Sequence, residues 1–376
     1  MDRVRIRARV QPAESAFTRA PIFDNVLSRI SPATLIRLGR CSRTTQDAVA
    51  NYSSRAFNIN KHLSRYFPDP VAFRSLQART ATLISGSSAL QFFDRTLYPE
   101  SDLDLYTFHE HGKEVGRWLQ ERGYEFAPKS SQAADFNTAL GEDGFEVDDD
   151  GTDYRLKGVK GIFFFERPSQ EGGEPLKVQI ITASTTPLEC VLNFHCTVVM
   201  NVIAFDAAYA FYPLSTYEER RALATDMNTA RRETRAIALG KYARRGWRIQ
   251  ATLYPFEGRN GVPPFYPNLV RWVGDRQTWT IPLDTTGIQR PSPVSVSSEP
   301  FTWDPVLHNS WILNSYARIT YNTTKSMVLK YQYLVADKLL LDELINFFVA
   351  QGKLEHLKVS SEEGAFTDTW KKTWTW

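Results

Sequence analysis

Residues 83–106 read LISGSSALQFFDRTLYPESDLDLY, and the fold turns on how this stretch is read. A short apolar strand, ATLIS, ends at Gly86-Ser87. The next run, SALQFFDRT, has the apolar spacing of a helix, with Ala89, Leu90, Phe92 and Phe93 available to pack. DLDLYTF then alternates like a strand. On a strand, residues i and i+2 share a face, so Asp102 and Asp104 present two carboxylates side by side while Leu103 and Leu105 point into the core. Adjacent carboxylates repel unless a cation sits between them, and Mg²⁺ favours oxygen ligands supplied by one or two carboxylates plus phosphates. Gly86-Ser87 falls between strand and helix, where backbone N–H groups and a hydroxyl can hold phosphate oxygens. A phosphate cradle beside a metal site is the plain chemical expectation.

Working outward, GKEVGRWLQERG is a helix ending at Gly123, and YEF begins a further strand. Residues 127–157 form a polar stretch containing Asp148-Asp149-Asp150, expected to be a solvated surface loop. VKGIFFFE and LKVQIITA flank a glycine-rich connection and read as a hairpin. Thr186-Pro187-Leu188-Glu189 has the pattern of a capping box, opening a helix that carries Leu188, Val191, Leu192, His195, Val198 and Val199 on one face. His195 is then expected to be a hydrogen-bonded core histidine. Residues 216–248 look helical, IQATLY and TWTIPL look like strands, PSPVSVSSEP like a surface loop, and 330–352 like an apolar helix. The expected division is an arm at 1–20, a helical segment at 21–77, an α/β domain at 78–215 and a mixed region at 216–376.

In the helical segment, Ser31-Pro32 starts a helix well, because serine caps and proline suits the first helical position. Leu35, Ile36, Leu38 and Cys41 follow on one face, after an apolar turn from Leu27 and Ile30. The short helices, the Ser-Pro-x-x-Leu start and the Arg-Cys-Ser-Arg that follows resemble the F-box over residues 21–58. The usual leading Leu-Pro-x-Glu and the tryptophan after the cysteine are absent. That resemblance implies docking on a Skp-type adaptor with Leu27, Ile30, Leu35 and Leu38 partly exposed. The bland alternative is a structural cap buried against the next domain.

Ser85-Gly86-Ser87, a helical spacer and Asp102-Leu103-Asp104 after fourteen intervening residues resemble the signature of the polymerase-beta-type nucleotidyltransferase fold. The resemblance covers about residues 78–215. The string SGS-AL-FFDR-YP-SDLDLY is also similar to uncharacterised proteins of mushroom-forming fungi that place an F-box-like segment ahead of it. The family implies an α+β, mixed α/β sheet flanked by helices, with nucleotide or phosphate at Gly86 and Ser87 and Mg²⁺ on Asp102 and Asp104. It also implies a third carboxylate on a neighbouring strand, to help deprotonate the attacking hydroxyl. The matching strand is LKVQIITA, and the matching position is Gln179. A glutamine carries no charge and cannot serve as a base at neutral pH. The site therefore reads as degenerate, on an interaction protein that binds without catalysis. The alternative is an active Mg²⁺-dependent nucleotidyltransferase acting on a protein, nucleic-acid or small-molecule hydroxyl through Asp102, Asp104 and an unidentified third acid.

Composition sets outer limits. The chain has 376 residues, 42% apolar and 13% aromatic, enough to bury substantial cores. Its 45 basic and 42 acidic side chains leave a net charge of +3, so any nucleic-acid contact must come from a local patch. The best patch is Arg231, Arg232, Arg235, Lys241, Arg244, Arg245 and Arg248; a solvated helix face is its plainer account. Three scattered cysteines form no disulfide framework and fit a reducing compartment. The alternating arginines of MDRVRIRARV make no amphipathic presequence, and CVLNFHCTVVMNVIAFDAAYAFY is too interrupted by polar residues to span a bilayer. An intracellular protein, cytoplasmic or nuclear, is expected. His109 and His111 flank Glu110, and without a further ligand they read as a loop or a helix start.

Overall fold

The computed structural model describes residues 15–142, 157–168, 174–225, 232–290, 303–324, 326 and 329–362. Asp148-Asp149-Asp150, Arg231, the segment 291–300 and most of the N-terminal arm fall outside the described residues. The fold is mixed α+β; smaller sheets of two and three strands accompany one eight-stranded central sheet. Its strands are β1 (Leu83–Ser85), β2 (Leu103–Phe108), β3 (Glu125–Phe126), β4 (Val159–Arg167), β5 (Leu176–Ala183), β6 (Asn201–Ile203), β7 (Ala207–Ala210) and an edge strand, Trp279–Pro282. Across the sheet the order is Trp279–Pro282, β7, β6, β1, β2, β5, β4, β3. The β2–β5 pair is parallel. All other neighbours are antiparallel, including the expected β4–β5 hairpin.

Strand alternation builds a core on each face. Leu103 and Leu105 of β2 join Val178 and Ile180 of β5 and Phe163 and Phe165 of β4 in one core. Tyr106 and Ile181 point the other way and join Leu83, Val191 and Val202 in the second. The same alternation carries Asp104 and Gln179 to the second face, and the register sets them directly opposite each other. A helix, Gly86–Asp94, starts at the residue after β1. Gly86 makes that sharp corner with φ +65°, a backbone region that side chains with a Cβ rarely enter.

The N-terminal helices Ala20–Leu27, Pro32–Leu38 and Arg43–Ala56 lie against this body. Ser31 caps the second of them through Thr34 N–H, with Pro32 behind it, as its sequence predicts. Leu27 and Leu35 are fully buried, at 0% and 3% exposure, in the same core as Ile84, Phe92 and Phe93. Ile30 and Leu38 pack partly against it. The partial exposure expected of an adaptor-binding face therefore fails at Leu27 and Leu35. Polar contacts tighten the same seam. Arg95 donates to the carbonyls of Leu27 and Ile30, and Glu218 accepts from Ser31 Oγ and Ala33 N–H, both at 2.7 Å.

Several elements differ from their expected form. The helix opened by Pro187 ends at Leu192 and gives way to a turn and a 3₁₀ segment, Thr197–Val199. Thr186 makes no side-chain cap, and the Glu189 carboxylate accepts instead from Thr185 and from Tyr321 Oη, the latter at 3.0 Å. Residues 216–248 hold a strand pair, Arg221–Leu223 with Arg248–Gln250, around the helix Arg232–Arg244. TWTIPL does form a strand, and it completes the central sheet from beyond residue 215. The last helix starts only at Lys338, because Tyr333–Val335 pairs with Asn322–Thr324, and it runs past Gly352 to Glu362. Among the described residues no helix is long and apolar enough to cross a membrane.

Candidate functional site

The acid pair sits where β2 begins, next to the corner between β1 and its helix. Gly86, Ser87, Asp104 and Gln179 line one cavity of about 280 Å³. Asp102, at the mouth of β2, joins them through Gln179, whose side-chain amide donates to Asp102 Oδ2 at 2.9 Å. The structure thus brings together Gly86, Ser87, Asp102, Asp104 and Gln179. Gln179 faces the pair, as the strand alignment requires.

The details modify the expected cradle. The Asp104 carboxylate lies against the backbone of Gly86, so close that a Cβ there would stand 2.2 Å from Oδ2. An anion at a helix N-terminus is favoured by the peptide dipoles. Burial nevertheless pushes the Asp104 carboxyl up to about 7; the neighbouring Asp102 charge adds to the rise and Lys241 opposes it. Ser87 is buried and its hydroxyl is already paired with Ser101. Ser85, the residue before the helix, gives its hydroxyl to the Asn201 carbonyl at 2.6 Å and caps nothing. Backbone N–H groups of the first helical turn are therefore the donors left for a ligand.

Sequence reasoning missed the other walls of the cavity. Lys241 belongs to the basic segment, yet the structure turns it inward to line the cavity with Asp104 and Gln179. Burial lowers its ammonium, as does Arg245, while Asp104, Asp102 and Glu100 pull the other way. Its helix is held in place by Arg245, which donates to Glu100 at 2.8 Å and lies over the Tyr98 ring at 3.6 Å. Trp247 just beyond donates to the Thr216 carbonyl at 2.8 Å. Two of the basic residues are thus committed to the site, while Arg244 and Arg248 are exposed. Arg235 bonds to the Thr225 carbonyl. Lys157, exposed, stands at the rim. Only the lysines' positions in three dimensions reveal them, since nothing in their local spacing does.

His195 also differs from its expected role. The helix ends before it, and the ring lines the cavity, stacked on Tyr242 at 5.6 Å. Its Nε2 has no hydrogen-bond partner. Burial, with Arg235 and Lys241 nearby, lowers it to about 4, so the ring is neutral. His109 and His111 form a 3₁₀ turn at the opposite end of β2, where His109 meets Thr182 and His111 packs near Phe108 and Tyr331. They do not join the acid pair.

The donor set fits a divalent cation poorly. The Gln179 amide N–H already occupies one oxygen of Asp102, and the Lys241 ammonium lining the cavity acts on both carboxylates, so each opposes a metal there. Among the described residues no group of three or more His, Cys, Asp or Glu side chains gathers to hold a metal ion. No protein-family model, no curated protein and no solved structure matches the chain.

Proposed function

We propose that this chain is a non-catalytic binding protein, a degenerate nucleotidyltransferase-type α/β unit under a helical cap, whose cavity holds a nucleotide-sized ligand without transferring it. The observation that carries this reading is the hydrogen bond from Gln179 to Asp102 at the place of a third carboxylate. An amide there orders the pair and cannot accept a proton from an attacking hydroxyl. Losing one proton acceptor lowers a rate by about 10²–10⁴. The cavity, at about 280 Å³, lies just below the roughly 300–1,000 Å³ typical of ligand pockets. It suits one nucleoside with a phosphate.

The test is a pair of measurements on the purified protein. Incubation with each labelled nucleoside triphosphate and Mg²⁺ or Mn²⁺ is expected to transfer nothing above background. Equilibrium dialysis with nucleoside monophosphates is expected to show weak saturable binding that Gly86→Val removes. Robust labelling that Asp102→Asn abolishes would instead establish the alternative, a Mg²⁺-dependent nucleotidyltransferase. Gln179→Glu is the companion variant. It places a third carboxylate opposite Asp104 and is expected to confer measurable Mn²⁺ binding.

Part of this proposal concerns partners. Docking on a Skp-type adaptor would have to use the outer face of the helical segment, where Ile22, Val26 and Ile36 are each 42% exposed. Replacing all three by serine is expected to leave thermal stability within about 1 kcal/mol of wild type. If the adaptor reading holds, the same variant loses co-purification of the adaptor; retention through a face lacking these side chains would end it.

A further inference from the structure

The poor fit of a metal at the acid pair has a specific cause. Asp104 lines the cavity, and Asp102 adjoins it through Gln179, which satisfies one oxygen of Asp102. The only ammonium lining that cavity from the helix Arg232–Arg244 is Lys241, and it feels both aspartates. Its position is fixed from outside the sheet. Arg245, four residues on, is held between Glu100 and Tyr98, two to four residues before Asp102. Tyr242, the next residue, is buried and stacked on His195. These contacts pin the helix to the very loop that leads into β2, and they leave Lys241 no other acidic partner of comparable burial.

We infer that Lys241 is the built-in counter-ion of the Asp102–Asp104 pair and stands, with the Gln179 amide, in place of a divalent cation, so that the cavity takes its ligand without metal. The inference rests on the proposed reading of this pair as the centre of the site. Its electrostatics are simple. The cavity is lined by Asp104 with Lys241 and Lys157, and Asp102 adjoins it through Gln179, so its walls already supply the positive charge that the acid pair needs. A divalent ion placed between the aspartates would meet the field of the Lys241 ammonium, which already acts on both carboxylates, in a poorly solvated space where like charges repel strongly. A triphosphate that brings such an ion with it is disfavoured by the same repulsion. A ligand with a single phosphate is not.

The experiment uses Mn²⁺ alone as the probe, followed by electron paramagnetic resonance on the full chain. Wild type is expected to show no saturable Mn²⁺ binding. Lys241→Met is expected to gain affinity by at least about tenfold, as removal of one repelling charge requires. The gain should vanish in Lys241→Met/Asp104→Asn. Lys241→Gln serves as a second variant should the methionine fail to fold, with thermal melting as the check. Tight Mn²⁺ binding by wild type that depends on Asp104 overturns the inference, as does a folded Lys241 variant with no gain. Dialysis with nucleoside monophosphate in excess EDTA separates the two claims. Binding that survives the chelator supports metal-free recognition, and binding lost with it overturns that recognition. Absence of binding under every condition defeats the functional reading, while the Mn²⁺ titration still judges the counter-ion.

Discussion

Gly86→Ala should destabilise the protein by about 3 kcal/mol, the sum of left-handed backbone strain and a collision. The residue holds φ +65°, and an added Cβ would stand 2.2 Å from Asp104 Oδ2 and 3.3 Å from its Cγ. Either the carboxylate leaves its place at the helix N-terminus, or the corner between β1 and the helix opens. The Cβ of Asp104 itself is at an ordinary 3.7 Å, so Asp104→Ala removes the collision whole. In that background Gly86→Ala should cost only the backbone part, about 1–2 kcal/mol. Denaturant unfolding of the four proteins of this cycle measures the difference. Equal costs in both backgrounds would show that the carboxylate does not press on Gly86.

Asp104→Asn should stabilise the protein at pH 8, and the gain should disappear in acid. The sign follows from the direction of the shift. The folded protein holds this carboxyl at about 7, against 3.8 for an unperturbed group, chiefly because of burial. Folding thus favours the protonated form, and the stability that Asp104 allows is fully present below about pH 3.8 and is lost as pH rises to about 7. Asparagine keeps the shape and never ionises. At about 1.36 kcal/mol per unit, halved because the side chain is partly solvated, the gain is about 2 kcal/mol above pH 7. Melting temperatures of variant and wild type at pH 4 and pH 8 check it; a variant less stable at pH 8 would mean that the charge is held by contacts stronger than its burial. The relief falls at Asp104 and not at Asp102, because Asp102 has the Gln179 amide as a donor and Asp104 has no such partner.

Most of the sheet was legible because strand alternation is local. Leu103 and Leu105 against Asp102 and Asp104, or Val178 and Ile180 against Gln179, announce their faces within a few residues. The helix after Gly86 was legible for the same reason. What stayed hidden depends on contacts distant in sequence. His195 was read on a helix because Leu188, Val191 and Leu192 set a helical period that stops at Asn193. Glu189 was read as half of a capping box, and no local signal could show that Tyr321 would claim it. Lys241 looked like one charge in a basic run, and its role exists only because Arg245 reaches Glu100 and Tyr98. The helical segment was read correctly as helices, but its partner was open, and the burial of Leu27 and Leu35 points them at the sheet.

The seam between that segment and the rest of the molecule also bears on how the chain is made. Ala33 N–H finds its acceptor, Glu218, 185 positions later in the chain. At about 5–20 residues per second a ribosome needs roughly 10–40 s to span that gap. Helices Ala20–Leu27 and Pro32–Leu38 therefore wait, with Leu27 and Leu35 uncovered, until β1 to β7 and then Glu218 emerge to receive them. Trp279–Pro282, the strand that closes one edge of the sheet, comes later still. Nascent chains pass through an interval in which Leu27 and Leu35 stay uncovered, and a holdase chaperone acting on these helices during that interval would govern the yield of folded chains.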